Sequence, residues 1–182
     1  DLLPEIMNAV ELRNFKEVVR RLDERFVLIR IGSSNSIIDK FKDKSRVIVK
    51  TNVPEEEYAL YFNASNLLIH TAIDGGFEIP LIEAVFSDLP VLAFDIPIVR
   101  EVLRDKAIFL PVHQRPLYDF VNDRNVWIED YDNYQEWVDA ILKYYDYKPN
   151  YGDLKEYYSK ERAYKEYEAF YKKAEVLGWW IK

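Results

Sequence analysis

Residues 71–91 read Thr-Ala-Ile-Asp-Gly-Gly-Phe-Glu-Ile-Pro-Leu-Ile-Glu-Ala-Val-Phe-Ser-Asp-Leu-Pro-Val, and their reading decides the fold. The apolar run Leu67-Leu68-Ile69 just before them predicts a buried strand. A loop with Gly75 and Gly76 follows, and Pro80 predicts the first turn of a helix, where its missing N–H costs nothing. Glu83 is expected in that same early turn. Ser87-Asp88-Leu89-Pro90 stops the helix, and Val91-Leu92-Ala93-Phe94 starts a second buried strand. The chain has five glycines in 182 residues, roughly half the usual share, yet two of them are adjacent here. Between a strand end and a helix start of a parallel sheet, such a pair lies where ligands bind. Free N–H groups at the helix start and its dipole suit a phosphate. The same pair also reads as a plain tight turn that needs positive φ.

Working outward, strands and helices alternate. Arg13–Leu22 predicts an amphipathic helix with Phe15, Val18, Val19 and Leu22 on one face. Phe26–Ile31 and Arg46–Val49 predict strands, with a short helix over Ile37–Lys42 between them. Pro54-Glu55-Glu56-Glu57 opens a helix, proline at its first position and three acids complementing its dipole. A helix over about 97–104 and a strand over Ala107–Leu110 follow. Residues 1–12 show no clear strand, so one element is expected to be missing at the start. Val126-Trp127-Ile128 is a short strand at best. Tyr131–Tyr145 predicts a helix, and one or two long helices run from Leu154 to about Val176. Short links between alternating elements, and strands that are unbroken Val/Ile/Leu runs, predict a doubly wound parallel α/β sheet with helices on both faces. The expected division is a Rossmann-like domain over 1–130 and carboxy-terminal helices over 131–182.

The composition excludes several classes. A net charge of −7 argues against general nucleic-acid binding. With no cysteine there is neither a disulfide framework nor a thiolate site. His70 and His113 are too few for a histidine-rich metal site; for His70, at a strand end beside the glycine loop, a structural hydrogen bond is favoured over a ligand contact. No apolar run approaches the ~20 residues of a transmembrane span, and Asp1–Glu5 do not read as a secretory leader. A soluble cytoplasmic protein is expected, with peripheral association at a membrane left open. No Gly-x-Gly-x-x-Gly, P-loop, His-Glu-x-x-His or Gly-x-Ser-x-Gly occurs.

The stretch from Arg13 to about Leu110 resembles the carboxy-terminal half of the group 1 (family 4) glycosyltransferases. The resemblance rests on Gly75-Gly76-Phe77-Glu78-Ile79-Pro80-Leu81-Ile82-Glu83-Ala84, then Pro90-Val91, Asp95-Ile96-Pro97 and Arg100-Glu101-Val102, at the family's spacing. It is supported upstream by Arg13-Asn14-Phe15 and the acidic helix from Pro54. It implies a Rossmann-like half of a GT-B fold that binds a nucleotide-diphosphate sugar and takes part in transfer with retention. It also implies an amino-terminal GT-B domain of the same protein as partner, and no metal or other cofactor. By position, Glu83 would accept hydrogen bonds from the ribose. Backbone N–H groups around Gly76 and Phe77 would hold the diphosphate, with Arg13 as its cation. Asn52 and Val53 would meet the base through their backbone. Read without the family, Glu83 stabilises a helix dipole in a first turn and Arg13 is an ordinary surface arginine.

Four positions depart from the family pattern, one of them near Met7, where a second upstream basic residue of the family has no counterpart. Gly75 stands in place of the first glutamate of its pair, with Asp74 one position earlier as a catalytic candidate; Glu78 and Asp88 stand in place of glycines. Because the family draws its acceptor groups from the amino-terminal half, the resemblance implies a glycosyltransferase that is inactive as this isolated domain. The alternative is a catalytically silent GT-B module that binds a partner protein, or a nucleotide without transfer. An unrelated α/β domain using the same loop for another phosphate ligand is the third reading. Trp179 and Trp180 either pack on the other half or finish this domain's own core.

Overall fold

The computed structural model describes residues 2–6, 12–31, 46–72, 76–119, 123–130 and 133–177, with backbone alone at 2–6, 12–16, 115–119, 125 and 127–130. Two compact units, Asp1–Asn150 and Tyr151–Lys182, make up the chain.

In the first unit the Val/Ile/Leu runs become the strands of one six-stranded parallel sheet. Its strands are β1 (Leu2–Ile6), β2 (Val27–Ile31), β3 (Val47–Lys50), β4 (Leu68–His70), β5 (Val91–Phe94) and β6 (Ile108–Leu110). They lie in the order β3-β2-β1-β4-β5-β6, every neighbouring pair parallel. This is the doubly wound dinucleotide-fold order, in which the chain reverses direction across the sheet between β1 and β4. Leu68, Ile69, Val91, Leu92 and Ala93 are completely buried, as strands covered on both faces must be.

The expectation of no strand in residues 1–12 is corrected: β1 is there, at the centre of the sheet. Five residues containing Pro4 and Glu5 carry no strand signal, and proline normally argues against a central strand. Here β1 pairs with β2 from Leu2 to Glu5, but with β4 only at Glu5 and Ile6. Pro4 therefore precedes the β4 ladder, and its missing N–H leaves no gap there.

The helices are α1 (Leu12–Arg21), α2 (Glu55–Ala64), α3 (Ile79–Phe86), α4 (Pro97–Leu103) and α5 (Tyr134–Tyr144). Right-handed crossovers put α1 on one face and α2, α3 and α4 on the other; α1 packs against α5, α2 against α3, and α3 against α4. Val18, Val19 and Leu22 are buried, as expected of the α1 face; the Phe15 side chain and the helix expected over Ile37–Lys42 lie outside the described residues. Pro54 precedes α2 as its N-cap, and Glu55, Glu56 and Glu57 form its acidic first turn. The α1 carboxy-terminus is closed from a distance. The Arg46 guanidinium donates to the carbonyls of Val19 (2.9 Å), Leu22 (2.8 Å) and Asp23 (2.9 Å). Arg46→Ala should therefore destabilise the protein by about 2 kcal/mol, since it removes a cation from a helix end and strands part-buried carbonyls; urea unfolding measures this.

A second correction concerns residues 113–130. β7 (His113–Asp119) and β8 (Arg124–Asp130) form a two-stranded antiparallel hairpin with Pro116 opposite Trp127. Pro116 and the charged residues hide β7 in the sequence, yet proline is tolerated where a strand has an open edge. After it, α5 belongs to the first unit. Its Trp137 meets Phe94 edge to face (centroids 5.1 Å), and its Gln135 accepts from Arg21 (3.2 Å).

The second unit holds α6 (Gly152–Tyr157) and α7 (Lys160–Val176). The Ser159 hydroxyl caps α7 by accepting from the Arg162 N–H. Glu168–Lys172 and Arg162–Glu166 ion pairs run along its exposed surface. No described helix is long and apolar enough to cross a membrane. Trp179 and Trp180 lie outside the described residues.

Candidate functional site: the carboxy-terminal edge of the sheet

In a parallel sheet every strand delivers the chain to the same edge, where the next helix begins. That edge gathers the candidates scattered through the sequence. Arg13 is the second residue of α1, which follows β1. Asn52 and Val53 form the turn from β3 to α2. Gly76 and Phe77 lie between β4 and α3. The β4–α3 connection sits at the β1/β4 switch point, where doubly wound sheets open a crevice. Asp74 and Gly75 lie outside the described residues, as does the side chain of Arg13.

Gly76 does not take a φ in the left-handed region, and among the described residues a Cβ built there would meet nothing within 4 Å. The tight-turn explanation is therefore set aside at this position: neither backbone conformation nor protein packing requires glycine at 76. An exposed glycine with open space over it leaves room for a ligand to approach the backbone. Phe77 and Ile79 beside it are largely exposed.

The expectation of free N–H groups at the helix start is corrected in detail. The Ile79 N–H turns back to the Phe77 carbonyl (3.1 Å), Pro80 has none, and the Leu81 N–H bonds the Glu78 carbonyl (3.1 Å). Donors for an anion must come from ahead of the helix. Among the described residues, the N–H groups of Gly76 and Glu78 make no bond to another backbone carbonyl.

Glu83 is not in the first turn. α3 begins at Ile79 and has no acid in that turn, so the dipole reading of Glu83 falls, because that effect fades beyond the first turn. Glu83 is half-buried and stands beside Tyr58, which lies in the early part of α2. Burial raises the Glu83 carboxyl above its ordinary 4.5, with the neighbouring Tyr58 hydroxyl opposing. Burial and the adjacent carboxylate push the Tyr58 phenol upward, so it remains a donor. The part of Tyr58 has no signal in the sequence, since 25 residues separate the pair and only the packing of α2 on α3 brings them together.

The departures from the family pattern find structural partners. Asp88, in a glycine position, adopts φ 52°, the left-handed region that glycine enters freely and aspartate tolerates. Asn52 does the same at φ 53°. Glu78 is the N-cap of α3 but makes no capping bond; its Oε2 lies 3.3 Å from Nε2 of His70, at the end of β4. His70 is 1 % exposed. Its structural hydrogen bond was expected; its partner was not.

Burial holds His70 below its ordinary 6.5, while Glu78 pulls the other way. The unfolded chain therefore takes up this proton first, so His70 makes stability fall as pH drops below about 6.5. His70→Gln should flatten this part of the profile; urea midpoints of both proteins at pH 7 and pH 5.5 test it.

Comparison with known proteins agrees with this geometry. The sequence profile of "Glycosyl transferases group 1" matches residues 10–161. The O-antigen chain mannosyltransferase RfbU of Salmonella typhimurium is 32% identical over 108 residues, covering 59% of this chain and 28% of that protein. Among solved structures, the sucrose-phosphate synthase of Thermosynechococcus elongatus superposes with a TM-score of 0.66 at 14% identity, over 97% of this chain and 46% of that one. The GtfA/B complex gives 0.63 at 16%, over 94% of this chain and 35% of that one. At these identities the structures show the shared fold alone. This chain spans less than half the length of each of these proteins. With the profile matched across the sheet, the glycine loop and the helices behind it, the chain belongs to the group 1 glycosyltransferases.

Proposed function

We propose that this chain is the donor-binding half of a retaining glycosyltransferase that takes its sugar from a nucleotide-diphosphate sugar. The observation that carries the reading is Gly76: a glycine unexplained by φ or packing, at the β1/β4 switch point. Backbone donors around Gly76 and Phe77 hold the diphosphate and Arg13 supplies a cation to it. Glu83, beside Tyr58, accepts from the ribose hydroxyls. Asn52 and Val53 meet the base. In the family pattern the position of Gly75 meets the sugar, and Asp74, one position earlier, is the candidate for a direct part in the reaction. The protein's chief contribution is stabilising charge on the departing diphosphate, which needs no metal.

The acceptor is supplied by an amino-terminal GT-B domain of the same protein, so the isolated chain binds donor without transferring it. A nucleotide-sugar donor places the reaction in the cytoplasm. Similarity to a mannosyltransferase makes mannosyl transfer the first activity to assay. A second reading, a module that binds nucleotide or a partner protein without transfer, is favoured by Gly75, which cannot replace a glutamate.

Calorimetric titration with UDP, GDP and ADP tests the proposal. One nucleotide should bind, and its base names the donor. Failure of all three to bind rejects the donor reading. Binding by a full-length protein that turns over no nucleotide sugar moves the assignment to the second reading.

A further inference from the structure

We propose that His70 is a positioning residue for the donor site: it holds the Glu78 carboxylate away from the backbone that receives the diphosphate. The inference rests on the donor reading above. Glu78 is two residues from Gly76 and caps α3, so its charge stands beside the ground assigned to an anion. Among the described residues, the N–H groups of Gly76 and Glu78 ahead of the helix bond no backbone carbonyl. A carboxylate at the helix N-terminus is drawn to them and to the dipole, where it would compete with phosphate. In the structure it does neither. The side chain makes no capping bond and turns inward to His70, with 19% of it exposed.

His70 is built for this contact. Among the described residues its buried Nδ1 has no hydrogen-bond partner, and Nε2 is the ring atom that meets Glu78. Facing a carboxylate at 3.3 Å, Nε2 carries the proton and donates, which leaves Nδ1 as the unprotonated nitrogen. The ring is anchored by strand pairing on both sides, to Ile6 of β1 and Ala93 of β5. Glu78 is thereby tied to the rigid centre of the sheet.

The test compares five proteins (unchanged, His70→Leu, His70→Gln, Glu78→Gly and a double variant) titrated with UDP, GDP and ADP, with folding checked by circular dichroism. His70→Leu frees Glu78 and should weaken nucleotide binding about tenfold, the effect of one misplaced charge at close range. His70→Gln keeps an N–H donor and should bind within about threefold of the unchanged protein. The double variant His70→Leu/Glu78→Gly removes the freed charge and should regain the original affinity. A purely structural histidine would show no such rescue, so a double variant as weak as His70→Leu overturns the proposal, as does an unaffected His70→Leu. Imidazole ¹⁵N spectra test the contact even if His70→Leu does not fold. The Nε2–H form should dominate in the unchanged protein and give way in Glu78→Gly, and a spectrum indifferent to Glu78→Gly overturns it. Binding by the unchanged protein with indifferent variants sinks this inference alone; no binding by the unchanged protein or by Glu78→Gly sinks the donor reading and this inference with it.

Discussion

Glu83→Ala should weaken binding of the cognate nucleoside diphosphate about a hundredfold, the loss of two hydroxyl-to-carboxylate bonds of roughly 1.5 kcal/mol each. The fold should tolerate the change, because Glu83 is half-buried and stands in the second turn of α3, where it does little for the helix dipole. The neighbouring Tyr58 phenol loses the carboxylate beside it. Glu83→Gln separates affinity from stability. The folded protein holds the Glu83 proton more tightly than the unfolded chain does, because burial raises the carboxyl above 4.5. The native state therefore binds the extra proton in that window, and stability falls as pH rises through it. Glutamine keeps an amide oxygen beside Tyr58 and carries no charge. Glu83→Gln should thus be more stable than the parent at pH 7, lose that advantage near pH 4, and bind nucleotide more weakly. Calorimetry beside urea unfolding at both pH values measures each part. An unchanged affinity in Glu83→Ala, in a protein that binds nucleotide, would remove the ribose role. A stability gain that persists at pH 4 would remove the electrostatic account.

Trp137→Ala should destabilise the first unit by about 4 kcal/mol, a large part of the 5–15 kcal/mol that holds a typical domain together. Trp137 is 3% exposed, on α5. It meets Phe94 at the end of β5 with ring planes at 84° and centroids 5.1 Å apart, an edge-to-face geometry that adds to the burial term. Val138 and Ile141 of the same helix are also buried. Phe26, which leads into β2, meets Tyr145 just past the helix end at 5.6 Å. α5 therefore covers the sheet as an integral helix. The melting temperature should drop by more than about 10 °C, with strand and helix signals lost together. A drop of only a few degrees would show that α5 is dispensable to the sheet.

Features that depend on neighbours along the chain were legible in the order of residues. Unbroken runs such as Val91–Phe94 announced buried parallel strands; Pro54 and Pro80 marked helix starts; the motif from Gly75 to Ala84 pointed to the family. Local signals also failed locally. β1 is short and contains a proline, and β7 hides Pro116 among charges, so neither had the pattern of a strand.

The tertiary structure alone decided which distant residues meet. It placed β1 in the middle of the sheet and so put the glycine loop at the switch point. It gave Glu83 to Tyr58 across two helices, and Glu78 to His70 across the β4–α3 connection. The physical reason is the range of the information. Periodicity, caps and turn residues report conformation over a few positions, whereas a contact between helices depends on how crossovers pack them. For the same reason, Glu78 reads in the sequence as a charge intruding on a phosphate site, and in the folded chain as a carboxylate bound to the end of a central strand.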